Sequence, residues 1–145
     1  MILMLQPDQV GAFWDAIKHG LIVANRPSNT QEQDYCNKVL EKCLNGKAQC
    51  WLSVTDREEG RVFNAFGITT IEETAFGEVY LFLHSLYAFR VIPNEDLQEI
   101  IPKLEQFGKV AGATRMITFT KIERLKALYT QWGFTQDLSL YAKEI

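Results

Sequence analysis

The chain has few cysteines and histidines, no excess of basic residues and no long apolar run. Its 145 residues include only 3 cysteines and 2 histidines, too few for a disulfide scaffold. No histidine or further cysteine lies at a spacing typical of a metal site. The formal charge, 15 − 18 = −3, gives no general basic field for a polyanion. These absences predict a protein that binds no metal, no nucleic acid and no membrane.

The amino-terminal apolar stretch, Met1 to Leu5, ends at Gln6 and is too short for a signal peptide or a membrane span. The three cysteines are expected to be small buried side chains in a reducing compartment. We therefore expect a cytoplasmic protein. The sequence also lacks a Walker loop, a Gly-x-Gly-x-x-Gly fingerprint and a Gly-x-Ser-x-Gly elbow.

The composition, with 47% hydrophobic and 23% charged residues, is typical of a globular protein. No internal repeat, low-complexity run or Ser/Gly linker divides it, so we expect one domain over residues 1–145. Apolar residues at helical spacing, and then at the alternating spacing of strands, predict the element order ααβββαβαβ. The predicted helices cover about 8–24, 31–44, 94–110 and 121–132, with a loop at 25–29; the predicted strands cover about 48–55, 61–71, 78–89, 115–120 and 134–142.

The third predicted strand is apolar on both faces, which is typical of a strand covered on both sides. One face carries Val79, Leu81 and Leu83, and the other carries Tyr80, Phe82 and Leu86. Short connections and helices on both faces then predict an α/β fold with a mixed, mostly antiparallel sheet flanked by helices. Pro102 lies inside the helix that follows, so a kink or an early break is expected there.

Near the carboxyl terminus the segment Leu128-Tyr129-Thr130-Gln131-Trp132-Gly133-Phe134 resembles the "LY-x-x-x-GF" signature of the GCN5-related N-acetyltransferases. The order of elements is similar over the whole chain, whereas the motif resemblance covers about residues 112–141. The resemblance implies that family's fold, with a splayed pair of parallel strands at about 79–90 and 114–120. It also implies transfer of an acetyl or acyl group from acyl-CoA to an amine on a small molecule or peptide.

The resemblance further implies which residues serve the reaction. Tyr129 matches the tyrosine that protonates the departing CoA thiolate, although the same position suits a core tyrosine. Acetyl-CoA is the implied cofactor, and a homodimer is a further expectation. The implied contacts with this cofactor come from the splayed strand and the loop after it: Tyr87, Ala88, Phe89, Arg90 and Asn94.

The pyrophosphate loop departs from the family pattern. The corresponding segment, Ile92 to Leu97, contains no glycine. Pro93 removes one backbone donor, and Glu95 and Asp96 are expected to place two negative charges beside a bound pyrophosphate. The departure predicts weak binding of acetyl-CoA, with a dissociation constant on the order of a millimolar. It also leaves open a non-catalytic binding or assembly module that has lost the CoA site.

The resemblance provides no general base. His84 lies in the third predicted strand, where a satisfied polar core residue and a base are both open interpretations. Glu72 and Glu73 are expected in a solvated turn beyond the second strand. His19, which precedes Gly20 in the first helix, is expected at the surface or at a helix irregularity.

Overall fold

A computed structural model describes residues 1–25 and 31–145 of the chain, and most of the predicted loop at 25–29 lies outside these residues. A 3-10 turn at Pro7–Gln9 leads into the first helix. The helices are α1 (Val10–Asn25), α2 (Glu32–Leu44), α3 (Asn94–Val110) and α4 (Glu123–Gln131). The strands are β1 (Ile2–Met4), β2 (Ala48–Arg57), β3 (Gly60–Glu73), β4 (Val79–Ala88) and β5 (Arg115–Thr118).

The five strands form one sheet in the order β1-β2-β3-β4-β5. The first three pairings are antiparallel, as the short connections between β2, β3 and β4 allow. β4 and β5 pair in parallel, because α3 connects them and returns the chain to the end of the sheet at which β4 begins. The predicted mixed sheet, mostly antiparallel with one parallel pair, is confirmed.

One face of the sheet packs against α1 and α2. The cysteines belong to this core, as their place on the apolar stripe of the second predicted helix and in the next strand predicts. Burial raises the pKa of the Cys43 thiol to about 11, so this thiol stays protonated and unreactive at neutral pH. Other side chains buried here are Val10, Ile17, Leu21, Leu52, Phe66 and Ile68.

The opposite face packs against α3 and the end of α4. Its buried residues are Ile2, Trp51, Leu81, Ile101 and Leu104. α3 runs through Pro102 without a break, so the break expected at this proline does not occur. Pro102 is exposed, so its ring disturbs no core contact.

β4 contains a bulge. Leu83 pairs with Thr69, but the neighbouring residue of β3, Ile68, pairs with Ser85, so His84 is an extra residue in β4. Such an insertion redirects a side chain and locally ends regular pairing.

The bulge also reverses the alternation of side chains along the rest of β4. Leu86 lies under α3 on the same face as Leu83, whereas Tyr87 packs into the core beneath α1 and α2. The prediction that Leu86 shares a face with Tyr80 and Phe82 is therefore wrong. A one-residue insertion exchanges the two faces, and periodicity alone does not reveal it.

Two further predictions differ from the structure at the chain ends. The residues beyond Gln131 form no strand, so the predicted strand at 134–142 is wrong. β5 is only four residues long, so a further strand could pair with it over a short distance only. The Asp137 carboxylate instead forms an ion pair with Arg115 of β5. Conversely, β1 pairs with β2 along Ile2–Met4, where three residues are too few to show an alternation in the sequence.

The helices of the described residues include none that is both long enough and apolar enough to cross a membrane.

Close packing between α1 and the sheet occurs at Gly20. A Cβ atom added there would lie 2.3 Å from Phe66 Cε1 and 2.9 Å from Tyr87 Cδ1. Gly11, in the same helix, has no heavy atom within 4 Å of such a Cβ atom. Gly20 thus allows the aromatic side chains of β3 and β4 to lie directly beneath α1.

We expect Gly20→Ala to lower the free energy of unfolding by roughly 1–3 kcal/mol, because the two rings must shift to admit a methyl group. Gly11→Ala, the matched control, is expected to be neutral or to stabilise the helix by up to about 1 kcal/mol. Urea unfolding of the two variants beside the parent measures both effects. Equal stability of the two variants would contradict this account of the α1 packing.

Candidate active site

The parallel pairing of β4 and β5 ends at Leu83 and Thr118. Thr118 also donates a side-chain hydrogen bond, 2.9 Å long, from Oγ1 to the Leu83 carbonyl oxygen. β4 continues for five more residues, to Ala88, beyond this last pair. We call the opening between β4 beyond Leu83 and the chain beyond Thr118 the fork.

α4 brings Tyr129 to the base of the fork. Its ring is buried, with 8% of its surface exposed, and packs against Trp132 and Phe134. Trp132 donates a 3.0 Å hydrogen bond from Nε1 to the Leu97 carbonyl oxygen of α3, which ties the end of α4 to that helix. This packing places Tyr129 on the α3 side of the sheet.

The Tyr129 hydroxyl interacts with the Thr118 side chain, at the last paired residue of β5. Burial raises the pKa of this hydroxyl, and the neighbouring Thr118 side chain opposes that shift in part. The hydroxyl therefore keeps its proton at neutral pH and can act as a hydrogen-bond donor.

The four residues predicted to contact the cofactor from the splayed strand lie along the β4 side of the fork. Tyr87 and Ala88 are the last residues of β4, and Phe89 and Arg90 follow directly. The Phe89 and Arg90 amides both donate to the Asn64 carbonyl oxygen, at 2.8 and 3.2 Å. β3 thereby holds the backbone after β4 in place.

The side chains of these residues have different surroundings. Tyr87 is half-buried and contacts the rings of His19, Phe66 and Phe89. Arg90 is exposed, four residues before the start of α3. His19 lies at the surface of α1, as expected. The next residue, Gly20, is buried against the rings of Phe66 and Tyr87.

Asn94 is the first residue of α3, and Pro93 is its N-cap. Among the described residues, no side chain caps this end of the helix. The first backbone hydrogen bond of the helix runs from Leu97 N to the Pro93 carbonyl oxygen. The first turn therefore offers backbone donors and the positive end of the helix dipole to an anion.

Asp96 does not face that helix end, which corrects the sequence-based prediction. Its carboxylate is 1% exposed and accepts hydrogen bonds from the Ser53 hydroxyl and the Met1 amino group. Ser53 in turn accepts a 3.2 Å hydrogen bond from the Asn64 side chain. Of the two predicted negative charges, only the exposed Glu95 remains at the surface of this turn. Sequence spacing could not separate these neighbours, because both are acidic residues in a first helical turn.

A cavity of about 40 Å³ lies between α3 and the sheet, beside Asp96 and Trp132. This volume is about the size of one or two water molecules. The cavity therefore belongs to the core and is too small for a substrate.

A second polar cluster lies on the opposite face of the sheet, at the bulge. His84 Nε2 is 2.8 Å from Thr70 Oγ1 and 3.8 Å from Glu72 Oε1. Glu72 and Glu73 belong to β3, so their predicted place in a turn is wrong. The Phe82 ring packs edge-on against the imidazole, with ring centroids 4.0 Å apart. The bulge, which the sequence does not show, is what brings His84 to Glu72.

Burial lowers the pKa of His84, and the nearby Glu72 carboxylate opposes this shift. The imidazole side chain is still 39% exposed. His84 is therefore a hydrogen-bonded polar residue that is partly exposed rather than enclosed in the core. The described residues contain no group of three or more acidic, histidine or cysteine side chains that could hold a metal ion.

Comparison with known proteins gives different results for sequence and for structure. No protein-family model matches the chain, and no curated protein matches its sequence. Solved structures match it over its whole length. One is a GCN5-related N-acetyltransferase from Ralstonia eutropha, which is 14% identical, with a TM-score of 0.72 and coverage of 100% of this chain and 97% of that one.

Two other similar structures have the same architecture. A ribosomal-protein-alanine N-acetyltransferase from Brucella melitensis is 13% identical, with a TM-score of 0.67 and coverage of 100% and 99% of the two chains. A "predicted acetyltransferase with acetyl-CoA" from Clostridium acetobutylicum is 12% identical, with a TM-score of 0.70 and coverage of 100% and 95%. The chain therefore has the fold of the GCN5-related N-acetyltransferases.

Proposed function

We propose that the protein is an N-acyltransferase that moves an acetyl or acyl group from acyl-CoA, acetyl-CoA in the simplest case, to an amine. The observation that carries this proposal is the position of the Tyr129 hydroxyl beside Thr118, where the parallel strands stop pairing. The "LY-x-x-x-GF" segment and the acetyltransferases among the similar structures support it. A small-molecule or peptide amine is the proposed acceptor.

The fork suits an extended ligand that contains amide groups. The pairing with β5 stops at Leu83, and along Leu86–Ala88 β4 pairs with β3, so we propose that the N–H and C=O groups on the other edge of this stretch pair with a ligand as they would with another strand. The pantetheine arm of acetyl-CoA carries two amides in an extended chain. We propose that it lies along Tyr87, Ala88 and Phe89, with contacts made by their backbone rather than by their side chains, except for the Phe89 amide, which is bonded to Asn64.

The pyrophosphate of this ligand is proposed to lie at the first turn of α3, beside Asn94 and Arg90. The helix dipole, the backbone amides and one arginine favour an anion there. Asp96 adds little repulsion, because it points into the core and is bonded to Ser53. The Glu95 carboxylate repels an anion, and Pro93 has no backbone N–H to donate to it. We therefore propose that the pyrophosphate binds weakly.

The chemistry requires positioning and two proton transfers. The fork holds the thioester while the amine attacks its carbonyl carbon, and this positioning lowers the entropic part of the barrier. Tyr129 then donates its proton to the departing sulfur. The raised pKa of Tyr129 favours this role, since the hydroxyl begins each turnover protonated.

The second candidate function is a non-catalytic binding or assembly module with the same fold. The segment Ile92–Leu97, which has no glycine and contains Pro93, favours this candidate. The two candidates differ in what they require of Tyr129: a module needs only its ring, whereas an acyltransferase needs its hydroxyl.

We expect Tyr129→Phe to retain the fold and to lower turnover by roughly ten- to a thousand-fold, because general acid catalysis contributes about that much. Release of the CoA thiol from acetyl-CoA, measured with a panel of primary amines, reports turnover. Tyr141→Phe is the matched control, since the Tyr141 side chain is 92% exposed.

If Tyr129→Phe releases thiol at the wild-type rate, this tyrosine has no catalytic role. If the wild-type protein releases no thiol with any amine of the panel, the non-catalytic module becomes the better account.

The second prediction concerns Glu95. Replacing it by Gln removes a negative charge beside the proposed pyrophosphate site, and we expect acetyl-CoA to bind roughly fivefold more tightly at low salt. Glu105→Gln changes the net charge equally, but at an exposed position ten helical residues from Glu95, about 15 Å along the axis. We expect no change for this control.

Calorimetric titration with acetyl-CoA at two salt concentrations measures the effect. Equal affinities for the two variants would show that the diphosphate does not lie at the first turn of α3. Micromolar affinity of the wild-type protein would contradict the proposal that the loop without glycine weakens binding.

A further inference from the structure

The segment that leads from β4 to α3 is tied to the sheet at both of its ends. At the first end, the two amides directly after β4 donate to the Asn64 carbonyl oxygen, at 2.8 and 3.2 Å. At the other end, the buried Asp96 carboxylate accepts a hydrogen bond from the Ser53 hydroxyl. The five residues between these anchors, 91–95, include the beginning of α3, beside which the pyrophosphate is proposed to lie.

Asn64 connects the two anchors. It is an extra residue in β3, since Ser53 of β2 pairs with Ala65 whereas Val54 pairs with Phe63. A bulge leaves its extra residue out of the regular ladder, so the Asn64 carbonyl oxygen can accept from two amides of the segment after β4. The buried Asn64 side chain reaches towards the other anchor and donates a 3.2 Å hydrogen bond to Ser53 Oγ.

Counting the donors gives this chain of hydrogen bonds one direction. The Asn64 Nδ2 group donates to Ser53 Oγ and, at 2.9 Å, to Thr55 Oγ1. Ser53 has one hydroxyl proton, and a carboxylate can only accept, so Ser53 donates that proton to Asp96. A flipped Asn64 amide would set its oxygen against a Ser53 oxygen that has no proton left to donate. The chain therefore runs from the Asn64 amide through the Ser53 hydroxyl to the Asp96 carboxylate.

We propose that Asn64 and Ser53 are positioning residues, which hold the first turn of α3 in the orientation that binds the diphosphate of acyl-CoA. This inference rests on the proposed acyl transfer and deepens it. Backbone amides attract an anion together only while they keep a common direction, and a turn that is anchored before the ligand arrives loses less entropy on binding. The hydrogen bonds from Asn64 to Asp96 supply that anchor from β2 and β3.

The two positioning residues bring no charge to the ligand. Asn64 and Ser53 are neutral and buried, and the Met1 amino group forms an ion pair with Asp96, the one charged side chain that they reach. Their effect is on the position of the backbone amides. They should therefore matter for donors that carry a diphosphate, and they should not matter for the chemical step.

The test removes the link at its middle. Ser53→Ala deletes the hydroxyl between Asn64 and Asp96, while the Met1 amino group still contacts Asp96, so α3 stays attached to the sheet. Thr55→Val is the matched control. It deletes the other oxygen that accepts from the same Asn64 amide, but this oxygen is not part of the link to Asp96.

Amide hydrogen exchange, followed by NMR, measures the anchor without any ligand. The Leu97 amide makes the first backbone hydrogen bond of α3. We expect this amide to exchange roughly tenfold faster in Ser53→Ala than in Thr55→Val, because only the first variant frees the turn. The Phe89 amide should exchange at similar rates in the two variants, since the backbone of β3 holds it in both.

Steady-state kinetics then compare acetyl-CoA with S-acetylpantetheine, which has the thioester and the pantetheine arm but no diphosphate. Thiol release is measured with the primary amine of the panel that gives the highest rate. We expect Ser53→Ala to lower kcat/KM for acetyl-CoA roughly three- to tenfold through KM, with kcat unchanged. Its kcat/KM for S-acetylpantetheine should keep the wild-type value, and Thr55→Val should change neither donor.

The inference is overturned if the Leu97 amide exchanges at the same rate in Ser53→Ala and Thr55→Val. It is also overturned if Ser53→Ala leaves kcat/KM for acetyl-CoA unchanged, or lowers it for both donors alike, as a general loss of structure would. In each case the proposed acyl transfer stands, because the wild-type protein still turns over. Absence of thiol release from wild type with every amine overturns the proposed function, together with the inference.

Discussion

The extra residue in β4 determines the geometry on which the candidate site depends. Two strands connected by a helix would otherwise continue side by side, with their backbone groups satisfied by each other. The bulge at His84 comes directly after the last pair, Leu83 and Thr118, and beyond it β4 continues its pairing with β3 to Ala88. Tyr129 lies on one side of the sheet at this point and His84 on the other. Binding and chemistry are both proposed at this one interruption of the sheet.

The fold was largely predictable from the sequence, because it rests on long periodic segments. The apolar stripes of α1, α2 and α3 and the change of period after Leu44 reflect burial, which acts on many residues at once. The two ends of the sheet were not predictable. β1 is too short to show a period, and the segment at 134–142 alternates as a strand would but has only the four residues of β5 as a neighbour.

The site was less predictable, because it depends on single residues. The motif around Tyr129 supplies a candidate whose catalytic role stays a prediction, whereas the orientation of Asp96 depends on Ser53, a residue 43 positions earlier in the chain. The pairing of His84 with Glu72 likewise depends on an insertion of one residue in β4. The orientations of these side chains depend on contacts between segments that are distant in the chain, and a local sequence pattern does not predict such contacts.

The central claim is that the fork holds acyl-CoA with its sulfur beside Tyr129. A crystal structure of the protein soaked with CoA at a concentration well above its dissociation constant tests this most directly. The account predicts that the pantetheine arm lies along β4 beyond Leu83 and that the thiol is within hydrogen-bonding distance of the Tyr129 hydroxyl. CoA bound elsewhere on the protein, or an empty fork under these conditions, would contradict it.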